Sequence, residues 1–349
     1  MSRPAAVIVL AAGQGTRMKS ALPKVVHPLA GLSMIGHALR AAQGLDPHNL
    51  VAVVRHQRDV VAAEIQRVAP HAIIADQDEI PGTGRAVQCG LEALDAAVTP
   101  VTGTVVVTYG DVPLLSTATL ADLVATHEGA GHAVTVLTSR VEDPTGYGRI
   151  IRDATGTVTG IVEQRDATDE QARINEINAG IYAFDAAFLR SALASVGTNN
   201  DQGEVYLTDV LAAAAPAGRS AGALELTDHW QSAGANDRVQ LAELGAELNC
   251  RICEEHMRAG VTIVDPASTW IDVDVRLGSD TTIYPGTCLR GATVVGDYCE
   301  IGPSATLIDA EIGDRCVVPA AWVGKGCVAA DTMVRPYTTI GTLMTAHGA

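Results

Sequence analysis

Over the first 225 or so residues, short runs of consecutive apolar residues alternate with stretches in which apolar positions recur every three or four residues. Val7-Ile8-Val9-Leu10, residues 50–54, Ile73-Ile74 and residues 104–108 read as strands. Residues 34–45, 59–68 and 85–94 read as helices. Strands that are apolar without alternation are covered on both faces, so this pattern predicts an α/β domain with a mixed, mostly parallel sheet. Ligands of such sheets sit beyond the carboxyl ends of the strands, which points to the loops after Leu10, Ile74 and Thr108.

The period then changes twice. From 236 to 258, Leu241, Leu244, Leu248 and Ile252 fall at helical spacing, with Gly260 as a stop, and predict a long linking helix. Beyond it Leu277, Ile283, Leu289, Val295, Ile301 and Leu307 recur every six residues. The phase slips to Ile312, Val318, Val328, Val334 and Ile340. A six-residue aliphatic repeat predicts a short left-handed parallel β-helix of four or five coils, against ordinary antiparallel β-structure. The expected division is 1–228, 229–260 and 261–349, and the exposed faces of so short a solenoid suggest self-association.

Composition narrows what the α/β half binds. The 349-residue chain carries 24 Lys and Arg against 40 Asp and Glu, a net charge of −16, and only 3% aromatic residues. Extended polyanions need many cations and stacking platforms, so nucleic acid and anionic membrane are excluded as partners. A phosphate ligand would need local cations or a metal. The apolar run 5–12 is short for a signal peptide and enters Gly13 without a cleavage site, and no run approaches the ~20 residues of a membrane span, so a cytoplasmic protein is expected. Seven scattered cysteines read as reduced thiols. Cys250-Arg-Ile-Cys253 lies in a helical pattern without a second ligand pair and reads as packing.

The first strand runs into Ala11-Ala12-Gly13-Gln14-Gly15-Thr16-Arg17-Met18, with Lys24 seven residues beyond Arg17. Glycines let backbone N–H groups approach phosphate oxygens, and a helix starting behind them would favour an anion. Met18 breaks both familiar phosphate loops, GxGxxG and GxxxxGK[ST]. Residue types alone therefore leave a phosphate loop and a tight turn both open.

Longer strings are more specific. Leu10–Met18 with Leu22-Pro23-Lys24 resembles the sugar-nucleotide pyrophosphorylase signature. Gln77 with Gly82-Thr83-Gly84, Tyr109-Gly110-Asp111-Val112-Pro113, Asp143–Ile150, Ile161-Val162-Glu163, Glu176–Gly180 and Gly203-Glu204 follow in register. Together with the helix and hexapeptide repeat, the chain is similar to the GlmU family over residues 5–345. That resemblance implies a Mg²⁺-dependent nucleotidyltransferase joining a nucleoside triphosphate to a sugar 1-phosphate, chiefly UTP to N-acetylglucosamine 1-phosphate. It assigns Arg17 and Lys24 to the phosphates and makes them, with Asp111, the catalytic set. It gives Ala11, Ala12, Gly13, Gly15, Gln77, Gly82 and Thr83 to the nucleotide, with Gln77 on the base edge. Tyr109, Gly148, Glu163, Asn178 and Arg165 go to the sugar, and Asp111 and Asn236 to Mg²⁺. A homo-oligomer, dimer or trimer, through the β-helix is also implied.

Taken singly these residues have plain readings: Arg17 and Lys24 as solvated charges, Asp111 as a turn former, Asn236 as the N-cap of the long helix. Two departures concern specificity. Arg85 follows the Gly-Thr-Gly where the family often has His, and Gln164-Arg165 replaces a pair such as His-Lys. The segment corresponding to the family's acetyltransferase centre has no counterpart, so acetyl transfer is expected to be absent and a monofunctional paralogue is expected. Two other readings keep less of the family: the same reaction with another base and an unusual sugar or cyclitol phosphate, or an inactive sugar-nucleotide-binding scaffold.

Overall fold

The computed structural model describes residues 3–98, 100–197 and 204–341. It divides into two compact units, Met1–His27 with Ser33–Gln240 and Pro28–Leu32 with Leu241–Ala349. Gly203, quoted above in a motif, and residues 342–349 of the expected 261–349 division lie outside the described residues.

The first unit is built on a nine-stranded sheet. Its strands are β1 (Ala6–Ala11), β4 (Leu50–Val54), β5 (Ile73–Asp76), β6 (Thr104–Tyr109), β7 (Val134–Arg140), β8 (Arg149–Arg152), β9 (Val158–Val162), β10 (Glu176–Asp185) and β11 (Ala221–Glu225). The numbers β2 (Pro28–Leu29) and β3 (Leu32–Ser33) belong to a separate two-stranded ribbon. The order is β11-β7-β10-β6-β1-β4-β5. The β6-β1-β4-β5 half is parallel, whereas β10 runs antiparallel to both β6 and β7. Continuous apolarity has the expected meaning here. Ala6, Ile8 and Leu10 enter the core on one face, and Val7, Val9 and Ala11 enter the core on the other. Helices α1 (Met34–Gly44), α2 (Arg58–Val68), α3 (Thr83–Ala97), α4 (Thr117–Ala130), α5 (Ala186–Ser195) and α6 (Thr208–Ala212) complete the unit.

In the second unit three parallel sheets of four, five and four short strands form the β-helix. Ile283, Leu289, Ile301, Leu307, Val318 and Val323 point inward and are fully buried. Cys288 pairs with Thr306, eighteen residues on, and Thr306 with Trp322, only sixteen on. The slip in the repeat after Leu307 is therefore a tightening of the later coils, and Val323 supplies the inward residue absent from the six-residue count. Inside one corner Thr281, Cys299 and Cys316 stack. The Cys299 amide donates to the Thr281 hydroxyl at 3.0 Å, and the two thiols donate to the carbonyls of Gly313 and Ala329 at 3.1 and 3.0 Å. All seven cysteines are free. Cys253 is buried and Cys250 exposed, which is the packing arrangement.

Helix α7 (Arg238–Arg258) ends at Gly260, whose φ of 101° and the bonds Gly260 N to Met257 O and Val261 N to His256 O close the helix in a Schellman turn. Its start corrects the capping reading of Asn236. Asp237 Oδ1 accepts from Val239 N at 2.9 Å and Gln240 N at 3.0 Å, so Asp237 is the cap. The Asn236 amide proton goes to Gln240 Oε1 at 2.7 Å, leaving its side chain available elsewhere.

Candidate active site

A cavity of about 440 Å³ opens at the carboxyl ends of β1, β4, β5 and β6. Ala11, Ala12, Gly13, Lys24, Gln77, Gly82, Thr83, Tyr109 and Asp111 line it. Parallel pairing puts these loops side by side, because Leu10 is opposite Tyr109 and Val54 is opposite both Ala11 and Asp76. A Cβ on Gly13 would meet nothing within 4 Å, so the backbone there faces open space. Gly15 does a different job. It lies in the left-handed region at φ 64°, and a Cβ there would stand 2.5 Å from Lys24 Cβ. It seats Lys24 rather than lining the cavity.

One expectation about this loop is corrected. Two short 3-10 turns, Thr16–Met18 and Lys24–Val26, follow it, and no α-helix begins before Met34. The helix whose first residues do reach the cavity is α3, through Gly82, Thr83 and Ala86. Gly82 is held at φ 117° with no room for a side chain against the Val205 carbonyl. Gly84 N donates to Val205 O at 2.8 Å and Leu207 N to Thr83 Oγ1 at 3.2 Å, so residues 205–207 brace the start of this helix.

The charged groups meet at one place. Lys24 Nζ donates to Asp111 Oδ2 and, at 3.4 Å, to Asn236 Oδ1, which also accepts from Arg17 Nη2 at 2.8 Å. Both side chains of the Lys24–Asp111 pair are largely buried. Two hard oxygens, one anionic, thus converge on a single cationic point. This donor set fits Mg²⁺, which takes one or two protein oxygens and fills the rest of its shell with water and phosphate. Among the described residues no cluster of three or more His, Cys, Asp or Glu could hold a metal by itself.

The residues expected at the sugar form a second group beside Tyr109. Gly148 faces Glu163, with a Cβ position 3.4 Å from Oε2, and Asn178 N donates to Gly148 O at 2.9 Å. Asn178 Oδ1 accepts from Gly180 N at 2.8 Å across the bulge in β10, and the Tyr109 ring packs where Gly180 has no side chain. Burial, with Asp166 and Asp209 nearby, pushes the Glu163 carboxyl upward despite its bond to Thr208. Burial, then Asp111 and Glu163, raises the Tyr109 phenol, which stays protonated and able to donate. Gln164 is a strut, accepting from Gly146 N at 3.1 Å and Arg149 Nη2 at 2.7 Å. Arg165 is exposed, with no side-chain hydrogen bond or ion pair among the described residues, and does not join the group.

Sequence reasoning missed Arg55 and His56, which line the cavity directly after β4. The rule that singled out the loops after Leu10, Ile74 and Thr108 applies equally after Val54. Glu204, quoted only as part of a motif, lines it too.

A family model for the MobA-like NTP transferase domain matches residues 7–174. Among curated proteins, the bifunctional protein GlmU of Pseudarthrobacter chlorophenolicus is 56% identical over 344 residues, covering 97% of this chain and 70% of the relative. The GlmU proteins of Kineococcus radiotolerans and Paenarthrobacter aurescens are 55% and 54% identical, with 97% and 98% of this chain and 69% of each relative covered. The glycine-containing loop, the meeting of Lys24, Asp111 and Asn236, and the β-helix thus occur in a chain that belongs to the GlmU family.

Proposed function

We propose that the chain is a uridylyltransferase that converts UTP and N-acetylglucosamine 1-phosphate into UDP-N-acetylglucosamine and pyrophosphate. A phosphate oxygen of the sugar 1-phosphate attacks the α-phosphorus of UTP in line. The bond from that phosphorus to the bridging oxygen breaks, and pyrophosphate leaves with the electron pair. Little covalent chemistry is asked of the protein, so positioning and charge neutralisation carry the rate.

The observation that carries this reading is the convergence of Arg17, Lys24, Asp111 and Asn236 beside the open backbone of Gly13. Arg17 and Lys24 take the β- and γ-phosphates and the charge of the leaving pyrophosphate. Ala11, Ala12, Gly13, Gly82 and Thr83 seat the nucleoside, with Gln77 on the base edge. Tyr109, Gly148, Glu163 and Asn178 hold the sugar phosphate so that its oxygen faces the α-phosphorus. Asp111 and Asn236 would hold Mg²⁺, which would supply Lewis-acid neutralisation of phosphate charge.

Pyrophosphate release, measured across nucleoside triphosphates and sugar 1-phosphates with Mg²⁺ present and then chelated, tests the reading. Release with UTP and N-acetylglucosamine 1-phosphate, lost on chelation, is expected. Preference for another pair would move the assignment to another sugar nucleotide, and no release with any pair despite nucleotide binding would make the chain a binding scaffold. The β-helix exterior carries Val264, Trp270, Val294, Tyr298 and Tyr337 in exposed positions, which supports a homo-oligomer measurable by light scattering. Among the described residues no helix is long and apolar enough to cross a membrane, which agrees with a cytoplasmic enzyme. Nucleotidyl transfer is the activity assigned to this chain; the second function in the relatives' name is said of those proteins alone.

A further inference from the structure

The loop between β5 and α3 is tied down from several directions. Gln77 Nε2 donates both its hydrogens inward, to Ile80 O at 3.0 Å and Gly82 O at 3.2 Å. An amide turned the other way would press its oxygen against two carbonyls, so the network fixes the orientation and leaves Oε1 as the free end. Ile80 N in turn donates to Asp78 Oδ1 at 3.1 Å. The other oxygen of Asp78 is gripped by Arg85, through Nε at 2.9 Å and Nη2 at 2.6 Å, while Arg85 Nη1 reaches Glu92 at 3.0 Å. Arg55 Nη2 holds the Glu79 carbonyl at 3.1 Å.

Arg85 stands in the first turn of α3, where the helix dipole disfavours a cation. Yet its side chain is only 16% exposed and is satisfied by two carboxylates. A cation kept in an unfavourable place by such pairing is doing something for the loop it grips.

We propose that Arg85 is a positioning residue for base selection, acting through Asp78 and Ile80 to hold the Gln77 amide with its oxygen toward the cavity. The proposal rests on the nucleotidyltransferase reading and deepens it. An acceptor at that point takes the N3–H of uracil or thymine and faces the N3 lone pair of cytosine, so a fixed amide rejects cytosine. When Arg85 lets go, the amide can turn and present its NH₂ group instead.

The test compares wild type with Arg85→Met, Arg85→Lys and Asp78→Asn in steady-state kinetics with UTP and CTP, and in equilibrium binding of both nucleotides. Arg85→Met and Asp78→Asn are expected to raise KM for UTP about tenfold, with a smaller effect on kcat, and to cut the UTP-over-CTP preference about tenfold. Arg85→Lys should recover part of both effects. A merely structural role would lower thermal stability and kcat for both nucleotides alike, leaving their ratio unchanged, and that result overturns the proposal. Binding separates it from the reaction itself. Wild type that binds UTP in preference to CTP without releasing pyrophosphate, with the preference lost in Arg85→Met, would sink the reaction and keep the clamp. Normal turnover with an unaltered preference in Arg85→Met would do the reverse.

Discussion

The two units both rest on parallel strands with buried aliphatic residues, yet they spend their connections differently. In the β-helix each corner repeats the last, and corner hydroxyls and thiols satisfy their own neighbours: Thr287 Oγ1 donates to Tyr284 O at 2.7 Å and Thr293 Oγ1 to Arg290 O at 2.7 Å. In the α/β unit the loops beyond β1, β4, β5 and β6 are all different, and they leave the Gly13 backbone open and several charges gathered. Regularity there would have been useless, since a substrate with a base, a ribose, phosphates and a sugar needs unlike contacts at each step. Uniform connections build a stack, and unlike connections build a site.

Substitutions that respect or violate this contrast should have effects of very different size. The largest is expected at Arg17→Ala, with pyrophosphate release lowered about 10³-fold and the melting temperature unchanged, because a charge stabiliser is removed from an exposed position. Unchanged turnover would refute the role of the loop. Leu307→Ala, in the fully buried stack, should do the opposite. It should cost about 2–5 kcal/mol by denaturant titration while turnover per folded molecule holds.

A pH effect belongs to the far end of the α/β unit. Burial first, and then His132, pushes the His127 imidazole down to about 4. Each ring has Nδ1 3.1 Å from Thr135 Oγ1. The fold therefore holds His127 neutral, and its contribution is complete above the ordinary pKa of 6.5 and is lost as pH falls from 6.5 toward 4. His127→Gln should remove about 3 kcal/mol of that pH dependence, read by chemical unfolding across the window. The smallest effect is expected at Asp237→Ala, where loss of the helix cap should cost about 1 kcal/mol in the same measurement.

Much of this was legible in the chain. Continuous apolar strands predicted a sheet covered on both faces, and the six-residue period predicted the β-helix, because both signals are direct images of which side chains are buried. What escaped has a physical reason too. Strands β8 to β10 are organised by pairs remote in sequence, such as Arg152 with Glu176 at 2.6 Å, and no local period announces those. The cap was misplaced by one residue because Asn and Asp are equally good caps and stand adjacent at 236 and 237. Arg55 and His56 carry no motif, and only the register of β4 beside β1 brings them to the cavity. Arg165 was assigned by its place after Glu163, but the turn there directs Gln164 inward and leaves Arg165 in solvent.

Arg17 and Lys24 each donate to an oxygen that the proposed function gives to Mg²⁺. Lys24 thus keeps its own counterion in Asp111, whereas Arg17 rests on the neutral amide oxygen of Asn236 and stays exposed. A basic patch open to water sheds bound salt anions when it binds phosphate, and its affinity falls steeply with ionic strength. Here the buried Lys24 already holds its counterion and has no salt ion to release. Nucleotide affinity should therefore fall less steeply with salt than if both cations stood open to water, which suits a strongly acidic chain whose distant charges repel the same ligand.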